Sequence, residues 1–316
     1  MLYSHATPER RRRSFREALA GGRLLRFPGA FSPIVARIIE EQGWEGVYLS
    51  GAALSADLAL PDIGLLTLSE VAYRGRQIQR VTNLPTIVDI DTGYGEVSNV
   101  ARTIQEMEDA GLSGCHIEDQ RNPKRCGHLD HKTLVPVEEM VQRIQAAVKA
   151  RRDESFLLIA RTDARGVEGL DAAIDRAKRY IDAGADAIFP EALGSEGEFE
   201  HFRSAVTVPL LANMTEFGKS PLLSVDRLAN LGFNIVIYPV TTFRLAMAVV
   251  EGGLEEMLRE GTQSGMVGRM QTRKRLYELV DYAGYQTLDQ SLYEISEVKD
   301  SGPARSPGTT PAGDET

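Results

Sequence analysis

The run Lys124-Arg125-Cys126-Gly127-His128 brings a thiol, two cations, a glycine and an imidazole within five residues. A thiol reacts through its thiolate, and neighbouring cations raise the thiolate fraction. Gly127 lets the backbone beside the sulfur swing or come close to a ligand. The alternative is a surface loop that happens to hold a cysteine. Upstream, Gly114-Cys115-His116-Ile117 leads into Glu118-Asp119-Gln120, which reads as a buried strand ending in carboxylates just before the thiol loop. Cys115, inside that strand, reads as core packing. Asp89 and Asp91 are two apart, as are His116 and Glu118. On a strand that spacing sends both members of a pair to one face.

These groups need elements to hold them, and short apolar runs alternate with amphipathic stretches along the chain. Helices are predicted over Pro8 to Ala20, Ile34 to Gln42, Leu68 to Val81, Val97 to Ala110, Val137 to Ala150 and Leu170 to Ala183. Further helices follow near Glu196 to Ser204, Ser224 to Asn230, from Thr242 onward, and about Thr272 to Tyr282. Eight strands fall between them, beginning at 24, 46, 86, 114, 156, 187, 209 and 235. A repeated strand–helix unit calls for a parallel sheet with helices outside. Eight such units close into a (β/α)8 TIM-type barrel. An open doubly wound sheet would announce a glycine-rich phosphate turn after its first strand, and Phe27-Pro28-Gly29-Ala30 is not one. The expected organisation is an N-terminal arm and helix over 1–23, one barrel domain with added C-terminal helices over 24–296, and a disordered Pro-, Gly-, Thr- and Ser-rich tail over 297–316.

In such barrels the reacting groups stand at the carboxyl ends of the strands. Here those ends carry Tyr48, Ser50, Asp89, Asp91, His116, Glu118, Arg161, Glu191, Asn213 and Thr215, with Arg244 after the last strand. Three carboxylates on neighbouring strands repel unless a cation lies between them. Hard oxygen ligands without paired histidines suggest Mg²⁺ or Mn²⁺, partly held through water. The competing reading pairs the acids with Arg161 and Lys124 in salt bridges. Arg161, Arg244 and Arg273 are fork-shaped donors for substrate carboxylates. A divalent cation, several arginines and a thiol suit a polycarboxylate whose C–C bond breaks through an enolate-like state.

The net charge of −9 argues against a nucleic-acid partner. The basic run Arg10 to Arg13, beside Glu9 and Glu17, reads as a solvated helix face. Two cysteines make no disulfide framework and fit a reducing cytosol, so a cytoplasmic location is expected. The N-terminus lacks a signal-peptide core, and no stretch approaches a membrane span. His5, His131 and His201 read as solvent-facing.

From Gly29 to Tyr282 the chain resembles the isocitrate lyase and phosphoenolpyruvate mutase superfamily, and its lyase branch most closely. The resemblance lies in Tyr48-Leu49-Ser50-Gly51, Leu60-Pro61-Asp62, Asp89-Ile90-Asp91-Thr92-Gly93-Tyr94-Gly95, His116-Ile117-Glu118-Asp119-Gln120 and the cysteine loop. Ala160-Arg161-Thr162-Asp163-Ala164, Phe189-Pro190-Glu191-Ala192, Asn213-Met214-Thr215-Glu216-Phe217-Gly218 and Tyr238-Pro239 extend it. It implies a Mg²⁺-dependent cleavage of 2-methylisocitrate to pyruvate and succinate, within the methylcitrate route of propionate breakdown. It also implies that Asp89 and Asp91 hold the metal, with Glu118 and Asp62 joining through water. Ser50, Gly51 and Ala52 would bind the pyruvate-forming part, with Arg161 clamping it; the family usually has a second glycine where this chain has Ala52. Asn213, Thr215, Arg244, Arg273 and the Gly127-His128 backbone would hold the succinate-forming part, supported by Glu191.

In that chemistry a base removes the hydroxyl proton, the C–C bond breaks, and Cys126 protonates the carbanionic carbon. Tyr48 and His116 are both candidates for the hydroxyl proton, and Lys124 and Arg161 complete the catalytic candidates. The loop over 121–133 is expected to be a lid, and a homotetramer with swapped C-terminal helices is the expected assembly. The nearest alternative is isocitrate cleavage to glyoxylate and succinate; those enzymes are usually longer and usually carry threonine at the position of Pro239. Decarboxylase and mutase relatives, which act on 2-oxoacids, lack the cysteine.

Overall fold

The computed structural model describes the backbone of residues 4–300 and the side chains of residues 4–293. The chain divides into a main unit, residues 3–269, and a C-terminal unit beginning at Met270. The main unit runs α1 (Pro8–Ala20), β1 (Leu25–Pro28), α2 (Pro33–Glu41), β2 (Val47–Leu49), α3 (Gly51–Asp57), α4 (Leu68–Gln79), β3 (Thr86–Asp89) and α5 (Val97–Asp109). It continues with β4 (Gly114–Glu118), α6 (Val137–Ala150), β5 (Leu157–Thr162), α7 (Leu170–Asp182), β6 (Ala187–Pro190) and α8 (Glu196–Ala205). Last come β7 (Leu211–Asn213), α9 (Val225–Asn230), β8 (Ile235–Tyr238) and α10 (Thr241–Glu260). The C-terminal unit holds α11 (Arg273–Leu279) and α12 (Tyr282–Asp300), in which Tyr277 and Tyr282 stack with ring centroids 4.7 Å apart.

Every strand pair is parallel, as the strand–helix alternation requires. The hydrogen-bonded ladders form two sheets, β2-β3-β4-β5-β6 and β1-β8-β7, so one continuous barrel ladder is not seen. Single bridges, Gly29 to Tyr48 and Ile188 to Leu210, span the two gaps. The physical reason lies in proline: Pro28, Pro190 and Pro209 stand at these junctions and have no N–H to donate. The parallel α/β reading therefore holds, while the closed barrel is a step beyond the ladder.

Two apolar layers set the strands in place. One lies between strands and helices and contains Val88, Ile90, Cys115, Ile117, Leu158 and Val236. The other lies on the opposite strand faces and contains Phe27, Tyr48, Ile87, Ile159, Phe189, Leu211 and Ile237. Alternation along each strand produces this split. Cys115 is fully buried in the first layer, as expected.

Four sequence expectations need correcting. The stretch after β2, read as loop, contains α3, with Ser50 as its cap accepting from the Ala53 N–H at 3.3 Å. Helix α12 reaches Asp300, so residues 297–300 of the expected tail are helical; the remainder of that tail lies outside the described residues. Asp91 falls beyond β3 with φ 48°, so the period-two reason for its orientation does not apply.

Fourth, Arg11 and Arg12 are buried, not a solvated face. Arg12 donates to Leu112 O at 2.8 Å and Glu108 O at 2.7 Å and pairs with Asp153 at 3.1 Å. A buried guanidinium there neutralises the carbonyl end of α5, which carries partial negative charge. Arg12→Ala is expected to cost about 3 kcal/mol through lost charge-assisted hydrogen bonds, without changing turnover. Urea unfolding checks this, and a change below about 0.5 kcal/mol, the surface-substitution range, would contradict it.

Candidate active site

Beyond the carboxyl ends of the strands lies a cleft lined by Tyr48, Ser50, Ala52, Asp62, Asp89, Lys124 to His128, Arg161, Phe189, Glu191, Asn213, Thr215, Pro239, Val240 and Arg244. Most of the residues proposed from sequence for chemistry or binding are thus brought together. Arg273 opens α11 in the C-terminal unit, and its role stays an expectation.

The carboxylates converge from two directions. A methyl group on Gly51 would meet Asp89 Oδ2 at 3.0 Å and Asp91 Oδ1 at 3.3 Å, so both acids close on the start of α3. The Gly51 N–H donates to Asp89 Oδ2 at 3.3 Å. Lys124 Nζ lies 2.7 Å from Asp91 Oδ1 and also pairs with Asp62. The lysine therefore serves the acids instead of the sulfur, contrary to the thiolate-raising role expected of it. Burial, followed by the charge of Asp89, raises the Asp91 carboxyl to about 6.

Glu118, fully buried on β4, is pushed up by burial. Arg161 Nη1 lies 3.2 Å from Glu118 Oε2, yet neither Glu118 oxygen receives an aligned hydrogen bond. Buried acceptors without donors are costly, and hydrated hard cations bind to such oxygens. Asp89, Asp91 and Glu118 thus fit a divalent ion held by a few carboxylates and water. Among the described residues no three His, Cys, Asp or Glu side chains converge closely enough to enclose an ion by themselves.

Tyr48 and His116 form a pair. Tyr48 Oη and His116 Nε2 are 2.7 Å apart, and His116 Nδ1 lies 3.7 Å from Asp89 Oδ1. Tyr48 lines the cleft and His116 stands behind it, wholly buried. Burial lowers the imidazole to about 4, so it is neutral near pH 7.

Arg161 is the hub of the opposite wall. It is bonded twice to Asp163, at 3.0 and 3.2 Å, lies 3.4 Å from Glu191, and stacks over Phe189 at 5.2 Å. Asp163 is set in turn by Asp119, which accepts from the Asp163 N–H at 2.9 Å, Thr162 Oγ1 at 2.8 Å and Tyr180 Oη at 2.8 Å. Glu191 meets His128 Nε2 at 3.0 Å and Asn213 Nδ2 at 3.4 Å. Thr215 is held near Asn213 by its own N–H, 3.1 Å from Asn213 Oδ1. Arg244 lines the cleft but also meets Glu216 at 3.6 Å and lies over Phe217 at 5.1 Å.

The cysteine loop is docked over this wall. Gln120 braces its base in both directions, accepting from the Arg125 N–H at 2.9 Å and donating to Arg125 O at 2.8 Å. At the far side the Lys219 N–H donates to His128 Nδ1 at 3.0 Å. A backbone N–H can only donate, so Nδ1 is the acceptor and Nε2 bears the proton facing Glu191. Cys126 is half-buried, and burial raises its thiol despite a hydrogen bond from the His128 backbone. The sulfur is thus kept as a protonated thiol, the reverse of the activated thiolate its neighbours in sequence suggested.

Gly127 is required here by space. A methyl group on it would stand 2.3 Å from Glu191 Cγ and 2.5 Å from Arg161 Nη2. Gly127→Ala is expected to hold the loop off the wall and lower kcat/KM by about 10²-fold or more, the scale of a small misplacement of reacting groups. Steady-state kinetics would contradict this if kcat/KM fell less than about threefold, under about 0.7 kcal/mol.

Sequence reasoning missed the bracing residues, Asp119, Gln120, Lys132 and Asp163. Asp119 directly follows the strand-end acid Glu118, and Asp163 lies two residues after Arg161, which was the available signal; Lys132 had none. His5, His131 and His201 are exposed, as expected.

Comparison with known proteins agrees with this geometry. The model of the family described as phosphoenolpyruvate phosphomutase matches residues 15–258. The chain is 61% identical to a probable 2-methylisocitrate lyase 1 of Corynebacterium glutamicum over 285 residues, covering 90% of this chain and 93% of that one. It is 48% identical to the 2-methylisocitrate lyase of Bacillus subtilis over 278 residues, covering 88% and 92%. Among solved structures, oxaloacetate acetylhydrolase with 3,3-difluorooxalacetate superposes with a TM-score of 0.85 at 32% identity, covering 91% of this chain and 98% of that one. Phosphonopyruvate hydrolase with oxalate and Mg²⁺ superposes with a TM-score of 0.82 at 31% identity, covering 90% and 99%. With most of its length matched by that family model and by close relatives, this chain belongs to the phosphoenolpyruvate phosphomutase family, within the isocitrate lyase and phosphoenolpyruvate mutase superfamily.

Proposed function

We propose that this protein is a 2-methylisocitrate lyase, cleaving its substrate to pyruvate and succinate. The observation that carries the reading is a lone cleft thiol, Cys126, facing the same cavity as Asp89, Arg161 and Glu191. The named relatives at 48% and 61% identity support the substrate.

Asp89 and Asp91 would hold a divalent cation, Mg²⁺ by similarity to the phosphonopyruvate hydrolase complex, with Glu118 and Asp62 reaching it through water. When bound, such an ion supplies Lewis acidity that lowers the pKa of the substrate hydroxyl and stabilises charge on the forming keto oxygen. Arg161, Ser50, Gly51 and Ala52 receive the pyruvate-forming half. Asn213, Thr215, Arg244 and the Gly127-His128 backbone receive the succinate-forming half, with Glu191 fixing their orientation.

Tyr48 relays the hydroxyl proton toward neutral His116, a role supported by its place on the cleft and the 2.7 Å contact behind it. As that proton leaves, the C–O bond becomes a carbonyl and the adjacent C–C bond breaks. The electron pair passes to the succinate half as an aci-carboxylate. Protonated Cys126 then delivers its proton to that carbon, and the thiolate is reprotonated before the next turnover. Lys124 keeps Asp91 and Asp62 oriented.

The finer structural expectations fall under the same proposal. The cyclic strand order and its two bridges support a closed (β/α)8 barrel within the main unit. Helix α10 has no buried residue and exposes Leu245, Val249 and Leu258 at 65%, 75% and 88%. So broad an apolar face needs covering, which supports a homotetramer with exchanged C-terminal helices. No helix among the described residues is long and apolar enough to cross a membrane. A cytoplasmic location fits the free thiols.

Product analysis tests the function. Purified protein given 2-methylisocitrate is expected to release pyruvate and succinate in equal amounts. Release of CO₂ without succinate would move it to another branch of the superfamily.

A further inference from the structure

The cysteine loop carries one buried cation that the proposed reaction does not use. Lys132, 7% exposed, donates from Nζ to Gly127 O and to Asp163 Oδ1, the latter at 2.9 Å. Asp163 is fully buried and bonded to Arg161. A lysine loses its hydration at such a site, and only paired acceptors offset that cost. One of these acceptors belongs to the residue next to the reactive sulfur.

In a trans peptide the C=O and N–H point to opposite sides of the bond. A grip on Gly127 O therefore fixes the plane of the Gly127–His128 peptide, one residue beyond the sulfur-bearing Cys126. Asp163, Lys132, the Gly127–His128 peptide and Cys126 thus form one connected line from the end of β5 to the sulfur.

We propose that Lys132 is a positioning residue that fastens the Cys126-Gly127-His128 turn to Asp163 and so holds the sulfur at the cleft. Its effect on turnover rests on the lyase reading, whereas the fastening itself does not. Thiol alkylation separates the two. Cys115 is fully buried and its thiol is pushed up by burial, so alkylation of the native protein reports Cys126. Cys126→Ser supplies the background rate.

Iodoacetamide labelling of the full chain at one pH compares wild type, Lys132→Met and Lys132→Arg, with melting curves taken alongside. Lys132→Met is expected to label about tenfold faster, as the freed turn exposes the sulfur, and Lys132→Arg to return within about threefold of wild type. Should Lys132→Met not fold, Lys132→Gln takes its place under the same thresholds. Labelling of the uncharged variant at the wild-type rate overturns the inference, as does labelling of Lys132→Arg as fast as the uncharged variant. A protein that makes no pyruvate yet shows the expected labelling would refute the lyase reading and leave the fastening standing.

Discussion

Cys126→Ser is expected to lose about 10²- to 10⁴-fold in turnover while melting close to wild type, the usual scale for removing a general acid. Serine nearly preserves the shape of cysteine, and Gly127 and His128 keep their contacts with the wall. The change falls on acidity: a serine hydroxyl gives up its proton far less readily than a thiol. Because burial keeps Cys126 protonated, the loss should appear in the proton-delivery step. Hydroxyl deprotonation at Tyr48 should be unaffected. Near-wild-type turnover in the serine variant would remove Cys126 from the reaction. A large fall in melting temperature would instead mark the sulfur as structural.

The second large effect is expected at Arg161. Its guanidinium faces Glu118 at 3.2 Å, Asp163 at 3.0 Å and Glu191 at 3.4 Å, and all three acids are buried. Arg161→Met keeps most of the side chain's length but leaves these carboxylates without their common cation. Removing one partner from a buried ion pair costs about 3–5 kcal/mol, since the surviving charges stay desolvated. The methionine variant is therefore expected to lose about that much stability in urea unfolding and to show no measurable lyase activity. Arg161→Lys restores one charge without the fork, so it should recover stability before activity. A methionine variant as stable as wild type would mean that the acids take up protons to compensate. The network would then be looser than its distances imply.

Much of this arrangement was legible in the sequence because it follows from periodicity. The eight strands begin within two residues of their expected starts, and the strand-end residues Tyr48, Ser50, Asp89, Arg161, Glu191, Asn213 and Thr215 meet in one cleft. Strand-end position and residue type are local properties, so they survive reading one segment at a time. What failed was set by contacts between distant segments. Arg12 is basic and flanked by charges, yet carbonyls at Glu108 and Leu112 bury it. Lys124 precedes the sulfur in sequence, but the loop turns its ammonium toward Asp62 and Asp91. Lys132 shows no local pattern, because its partners Gly127 and Asp163 become neighbours only after the loop docks. Asp91 keeps the company that strand alternation predicts, but its left-handed backbone, not that alternation, aims it at Gly51.

The most direct measurement is identification of the keto acid formed from 2-methylisocitrate and from isocitrate, each with Mg²⁺ and with EDTA. The expected result is pyruvate from the methylated substrate, formed at least about tenfold faster than glyoxylate from isocitrate, as one methyl group allows. EDTA should stop both reactions and added Mg²⁺ should restore them. Faster glyoxylate formation, or pyruvate release that EDTA leaves untouched, would contradict the central claim that this thiol and these carboxylates together cleave 2-methylisocitrate.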